Sequence, residues 1–196
     1  MRFAFVLVLV SAPPAIAYED LALQIDRIAP LVNASKFEAL GGPEAASAIV
    51  ENIGGRWFTL VSTVRNWERD PQSNRERLED AIKRTCADDW ENIVTYTITG
   101  PDTFRVEQRS PLGEDLGLFE MEPVSADSRV FTTVVSDAYI LEISGIENVP
   151  EVVRDAAIAE VRAEIEAGLT IWRPSDDLTV NVRADGEAEV WGRCPS

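Results

Sequence analysis

Residues 90–107, WENIVTYTITGPDTFRVE, decide how this chain folds. Trp90, Asn92, Val94, Tyr96 and Ile98 fall on one face of an extended segment. Glu91, Thr95, Thr97 and Thr99 fall mostly on the other. Gly100-Pro101-Asp102 turns the chain, and Phe104 and Val106 then alternate with Arg105 and Glu107. Period-two alternation on both sides of a turn predicts an antiparallel hairpin.

Downstream, the same reading predicts strands over 117–124, 129–136 and 138–144, with Tyr139, Leu141 and Ile143 sharing a face of the last. A helix follows, with Asn148 as its cap, Pro150 in its first turn and Gly168 at its end. Three strands come next, over 169–173, 178–184 and 187–193. In the second of these, Leu178, Val180 and Val182 alternate with Thr179, Asn181 and Arg183, and Asp185-Gly186 gives a two-residue hairpin signal. Upstream, 56–64 alternates through Trp57, Thr59, Val61 and Thr63. A helix is expected over 73–85, with Ser73 and Glu76 at capping-box spacing. Residues 18–53 read as helical, because Leu21, Ile25, Ile28 and Leu31/Val32 recur at helical spacing. Pro30 marks a kink or stop, and Gly41-Gly42-Pro43 separates a second short helix with Pro43 in its first turn. A loosely ordered arm is the alternative for that segment.

Eight or nine alternating strands require one buried and one wet face, which is an antiparallel pattern. The expected fold is α+β: mainly an antiparallel β-sheet or barrel, with an N-terminal helical segment and two further helices. Residues 18–53 and 54–196 are expected to form one globular unit.

Residues 1–17 set the compartment. Arg2 precedes an apolar run from Phe3 to Val10, Pro13-Pro14 interrupts it, and Ala15-Ile16-Ala17 offers small residues at a cleavage site. That pattern predicts a signal peptide and a mature chain starting near Tyr18, exported to a periplasm or secreted. A membrane anchor or buried strand is the alternative. No later apolar stretch reaches spanning length, so no membrane insertion of the mature chain is expected. Cys86 and Cys194 are the two cysteines, and an oxidising compartment predicts that they pair with each other.

The chain has 34 Asp plus Glu against 18 Lys plus Arg, a net charge of −16. Such a surface repels phosphate backbones and anionic membranes, so no nucleic-acid partner is expected. There is no histidine, which removes Ser-His and Cys-His nucleophilic catalysis and His-based zinc sites. The acidic pairs Asp88-Asp89, Glu114-Asp115 and Asp176-Asp177 match no calcium-loop pattern and read as solvated turns. No catalytic residue, metal or cofactor is assigned.

Gly55-Arg56-Trp57, opening the first strand after a helical segment, resembles the Gly-x-Trp motif of the lipocalins. The resemblance implies an eight-stranded up-and-down barrel with Trp57 packed at its closed end, and a small apolar ligand inside. The candidate ligand-binding residues are Trp57, Trp90, Val94, Tyr96, Phe104 and Tyr139. The expected enclosed face comprises Val94, Tyr96, Phe104, Val106, Leu141, Ile143, Val180 and Val182, with Val190 inward and Trp191 opposite it. The preferred reading is an exported, non-enzymatic binder of a small apolar ligand. The alternative is a structural or protein-binding module, an envelope-associated factor or inhibitor, with a filled core. An enzyme using carboxylates and Arg is a third, recognisable by a cleft holding two carboxylates at working separation.

Overall fold

The computed structural model describes residues 14–87, 93–109, 115–134, 140–141 and 150–195. Its centre is a closed barrel of eight antiparallel strands in sequence order, β1 (Gly55–Thr59), β2 (Ile93–Ile98), β3 (Phe104–Arg109), β4 (Asp115–Pro123), β5 (Val130–Val134), β6 (Leu169–Ser175), β7 (Leu178–Arg183) and β8 (Ala188–Arg193). The 90–107 segment forms the expected β2–β3 hairpin, with Tyr96 opposite Val106 and Ile98 opposite Phe104. β1 closes the barrel by pairing with β2 on one edge and β8 on the other. Closure leaves no free sheet edge.

Accompanying the barrel among the described residues are the helices α1 (Pro14–Asn33), α2 (Ala46–Val50), α3 (Val61–Asn66), α4 (Pro71–Ala87) and α5 (Glu151–Glu166). The amphipathic reading of α1 holds. Leu21, Ile25, Ile28 and Ala29 are buried, and they join Phe58, Leu60, Trp172, Leu178, Val180 and Val190 in one core cluster. This segment is therefore a docked helix rather than a loose arm. Each fully buried Ile or Leu there contributes about 1.5–3 kcal/mol. α3 and α4 extend the same cluster through Val64, Leu78 and Ile82, with Trp67 between them. A second cluster lies inside the barrel, built on Trp57, Tyr96, Phe104, Met121, Phe131 and Ile171, and α2 plugs one end with Ala46, Ile49 and Val50.

Several boundaries differ from expectation. The strand expected over 56–64 stops at Thr59, and Val61–Asn66 is helical, because Val64 is drawn into the cluster with α1. α4 starts at Pro71 rather than Ser73. Asp70 is the residue before it, and its carboxylate accepts from Ser73 N at 3.2 Å, which is a cap one turn earlier. Pro43 lies outside α2, which begins at Ala46. Ile140 and Leu141 are helical, where a strand was expected over 138–144. Asn148 lies outside the described residues. At the β7–β8 connection Gly186 N donates to Arg183 O and Arg183 N to Glu187 O, both at 2.9 Å. Of the loop residues only Gly186 has positive φ, so the loop is three residues long, closed by a glycine bulge, rather than a two-residue turn.

Cys86 and Cys194 are joined in a disulfide, with Cα atoms 5.6 Å apart. Among the described residues no helix is long and apolar enough to cross a membrane.

Candidate ligand-binding cavity

One end of the barrel is sealed. Trp57, fully buried, donates from Nε1 to Ile53 O at 2.8 Å. Arg193 lies over its ring, 4.5 Å from the centroid, and donates to the carbonyls of Asn52, Gly54 and Asp176. Arg173 is buried at the same end. Its guanidinium donates to the carbonyls of Ala48, Ile49 and Glu51 at the C-terminal end of α2, and pairs with Asp176. Arg173 thus gathers carbonyls that the short helix α2 leaves behind, and Arg193 those of the segment after it and of the β6–β7 turn.

Above this seal runs a chain of rings. Trp57 and Tyr96 have centroids 5.7 Å apart, Tyr96 and Phe104 5.3 Å, and Phe104 and Phe131 5.6 Å. Tilted and edge-on arrangements at these distances are the favoured ones for aromatic pairs. The aromatic layer floors a cavity of about 610 Å3 that occupies the other half of the barrel. Val94, Val106, Phe119, Met121, Leu169, Ile171 and Trp191 form its apolar wall. Tyr96, Gln108, Thr133, Asn181, Arg183, Asp185 and Glu189 bring polar and charged groups to the lining. This is within the size range of small-molecule sites, and mostly apolar with few polar groups, as such sites are.

Asn181 and Arg183 come from β7, Glu189 from β8 and Asp185 from the loop between them, while Gln108 comes from β3 and Thr133 from β5. Asn181 is 5% exposed, and its Nδ2 lies 3.5 Å from the Tyr96 hydroxyl. Its Oδ1 has no hydrogen-bond partner, and neither has the Oγ1 of fully buried Thr179. Burial pushes the Tyr96 phenol well above its ordinary pKa; the Asn181 contact opposes this and the negative charge of Glu189 adds to it. Tyr96 is therefore a neutral hydroxyl at any physiological pH. Glu189 sits opposite Asn181 in the β7–β8 ladder and accepts from Trp191 Nε1 at 3.3 Å. At the rim Arg183 is held by Asp185 and Glu187.

Of the expected candidates, Val94, Tyr96 and Phe104 line the cavity together, while Trp57 lies in the same cluster beneath them. Trp90, Tyr139 and Ile143 lie outside the described residues, as do Asp88-Asp89 and Glu114. Leu141 is helical and outside the strands. Val180, Val182 and Val190 do not face inward. They belong to the outer cluster, and the inward residues of β7 and β8 are Thr179, Asn181, Glu189 and Trp191. The reason is physical. α1 supplies an apolar cover outside β7, so the apolar face of that strand turns outward. Alternation reveals two faces but not which one looks into a barrel. Trp191, Met121, Leu169, Ile171 and Asn181 went unidentified as cavity residues for this reason or for want of a strong local pattern.

Asp176 pairs with Arg173, and Asp177 lies 3.5 Å from Arg193, so both carboxylates are tied up at the sealed end. Among the described residues no group of three or more His, Cys, Asp or Glu is placed to hold a metal ion.

The fold and the cavity define a closed eight-stranded meander barrel, sealed at one end and, among the described residues, hollow at the other. No protein-family model matches the sequence, and no match is found among curated proteins or solved structures.

Proposed function

We propose that this protein is an exported, non-enzymatic binder of a small apolar ligand, held in the barrel in the manner of the lipocalins. The cavity of about 610 Å3, apolar-walled over an aromatic floor, carries this reading. Support for the lipocalin likeness comes from Gly55-Arg56-Trp57 opening the first strand of an eight-stranded meander, with Trp57 at the sealed end. Support for export comes from the signal-like residues 1–17 and from the Cys86–Cys194 disulfide, a bond typical of oxidising compartments. The alternative, a protein-binding module, rests on a filled core, and the cavity favours the ligand reading.

Trp191 lines the cavity, so its emission reports occupancy. The test is a tryptophan-fluorescence titration with apolar probes, with native mass spectrometry of protein recovered from the exported fraction. A saturable response at one site per chain is expected, on a chain beginning at Tyr18. A flat titration would remove the ligand reading. Recovery of the chain with Met1 retained would remove the export reading.

A further inference from the structure

The cavity wall is mostly apolar, with Gln108, Thr133, Arg183, Asp185 and Glu189 as further polar lining; among the lining residues Tyr96 and Asn181 are the buried polar pair. Tyr96 rises from the floor, Asn181 descends from β7, and the two meet at 3.5 Å with both side chains buried. Each group has capacity to spare. With Asn181 Nδ2 donating to the phenol oxygen, the Tyr96 proton and Asn181 Oδ1 are both left over. Turning the amide over changes which atoms are left but not their kind. Tyr96 would then donate to the amide oxygen, leaving amide protons and a phenol lone pair. In either arrangement the pair offers at least one donor and one acceptor to the cavity. Buried polar groups are normally satisfied, and an orphan calls for an explanation.

We propose that the barrel takes an uncharged amphiphile with a single hydroxyl headgroup, bound head-down so that the hydroxyl donates to one member of the Tyr96–Asn181 pair and accepts from the other. This rests on the reading that the barrel binds a small apolar ligand, and it names that ligand's chemistry. A hydroxyl is both donor and acceptor and matches the pair. A carboxylate only accepts. It would meet the leftover acceptor of the pair and the charge of Glu189, which lines the same cavity opposite Asn181; the one cation of the described lining, Arg183, is already paired with Asp185 and Glu187 at the rim. An ammonium only donates and would leave the donor of the pair unmatched. An ether of the same length has no donor. The tail has room along the wall formed by Val106, Phe119 and Leu169.

The experiment is competition against the neutral fluorescent probe N-phenyl-1-naphthylamine on the full mature chain. The competitors are 1-decanol, decyl methyl ether, decylamine and sodium decanoate at pH 8. Decanol should displace the probe at about tenfold lower concentration than the ether, the worth of one or two buried hydrogen bonds, with decylamine and decanoate weaker than decanol. Tyr96→Phe and Asn181→Leu should each shrink the alcohol–ether ratio to below about threefold, a ratio taken within each variant so that any change in the probe's own affinity cancels. Equal displacement by alcohol and ether in the unaltered protein overturns the inference and leaves the barrel as a ligand site. Tighter binding of decanoate or decylamine than of decanol overturns it in the same way. No saturable binding of the probe or of any competitor removes the ligand reading, and this inference with it.

Discussion

Tyr96 is a buried phenol in contact with Asn181, with the negative charge of Glu189 in range. Its pKa stands well above the ordinary value of 10.0, chiefly through burial. The sign of the consequence follows from linkage. Below about pH 9 the phenol is neutral in both folded and unfolded chains, and it adds no pH dependence. Above about pH 10 the unfolded chain loses the proton while the folded chain keeps it, so unfolding is favoured. Stability should therefore be flat near neutrality on this account and fall above pH 10 by up to about 1.4 kcal/mol per pH unit. Urea titrations between pH 8 and pH 11.5 measure this, and Tyr96→Phe should remove the Tyr96 share of the slope. An unchanged slope in Tyr96→Phe would show that the phenol ionises freely in the folded protein. Tyr96 was identifiable in the sequence because it sits between Val94 and Ile98 on the apolar face of a hairpin strand. Asn181 was not: it alternates with Val180 and Val182, and a polar residue in that pattern reads as solvent-facing. Only the placement of α1 outside β7 shows that the polar face is the inner one.

At the scale of elements, the sealed end depends on how residues 41–43 deliver α2 into the barrel. Arg129 lies 4.0 Å from the Trp172 ring centroid and donates to the carbonyls of Gly42 and Pro43, each at 3.0 Å. Ala46 N then bonds Ala126 O at 3.0 Å. Gly42 is pressed against β6 so closely that a Cβ would lie 2.3 Å from Arg173 O, and its φ is +88°. Gly41 also has positive φ, +71°, but a Cβ there meets nothing within 4 Å. The pair separates strain from contact. Gly41→Ala should cost about 1 kcal/mol, from backbone conformation alone. Gly42→Ala should cost about 2–4 kcal/mol, since β6 or the linker must move as well. Equal losses in urea denaturation would mean that the approach to β6 contributes nothing. The sequence marked Gly41-Gly42-Pro43 as a break but could not show what it approaches, since β6 lies more than a hundred residues away. Local periodicity located the 90–107 hairpin and the buried face of α1, because both signals are contained within one element. It failed at Val61–Asn66, where the Thr-Val alternation continues past Thr59 but the buried demand of Val64 comes from another helix.

For the molecule as a whole, the question is what closes the barrel. Seven of the eight strands lie between Cys86 and Cys194, which are 108 residues apart in sequence and joined by the disulfide. The bond ties the approach to β2 to the exit from β8. It thus holds the two edges of a seven-stranded meander at about the spacing that β1 fills. Arg56 of β1 sits in that gap, accepting from Cys194 N at 2.8 Å through its carbonyl and donating from Nη1 to Cys86 O at 3.1 Å. Two cysteines in a chain whose first residues read as an export signal made the pairing legible. Closure was not, since an open sheet covered by helices buries the same alternating residues. In the chain-entropy model, a loop of this length stabilises the folded state by about 4–5 kcal/mol, acting on the unfolded chain. The double variant Cys86→Ser, Cys194→Ser should therefore lose about that much in urea while its near-ultraviolet circular dichroism, set by Trp57 and its ring neighbours, stays the same. The urea m-value should rise, because the unfolded chain without the cross-link exposes more surface. A loss under about 1 kcal/mol would show that the unfolded chain stays compact without the bond. An altered native spectrum would show instead that the bond holds the β1–β8 seam itself, and that hydrogen bonding across β1 is not enough to keep the barrel shut.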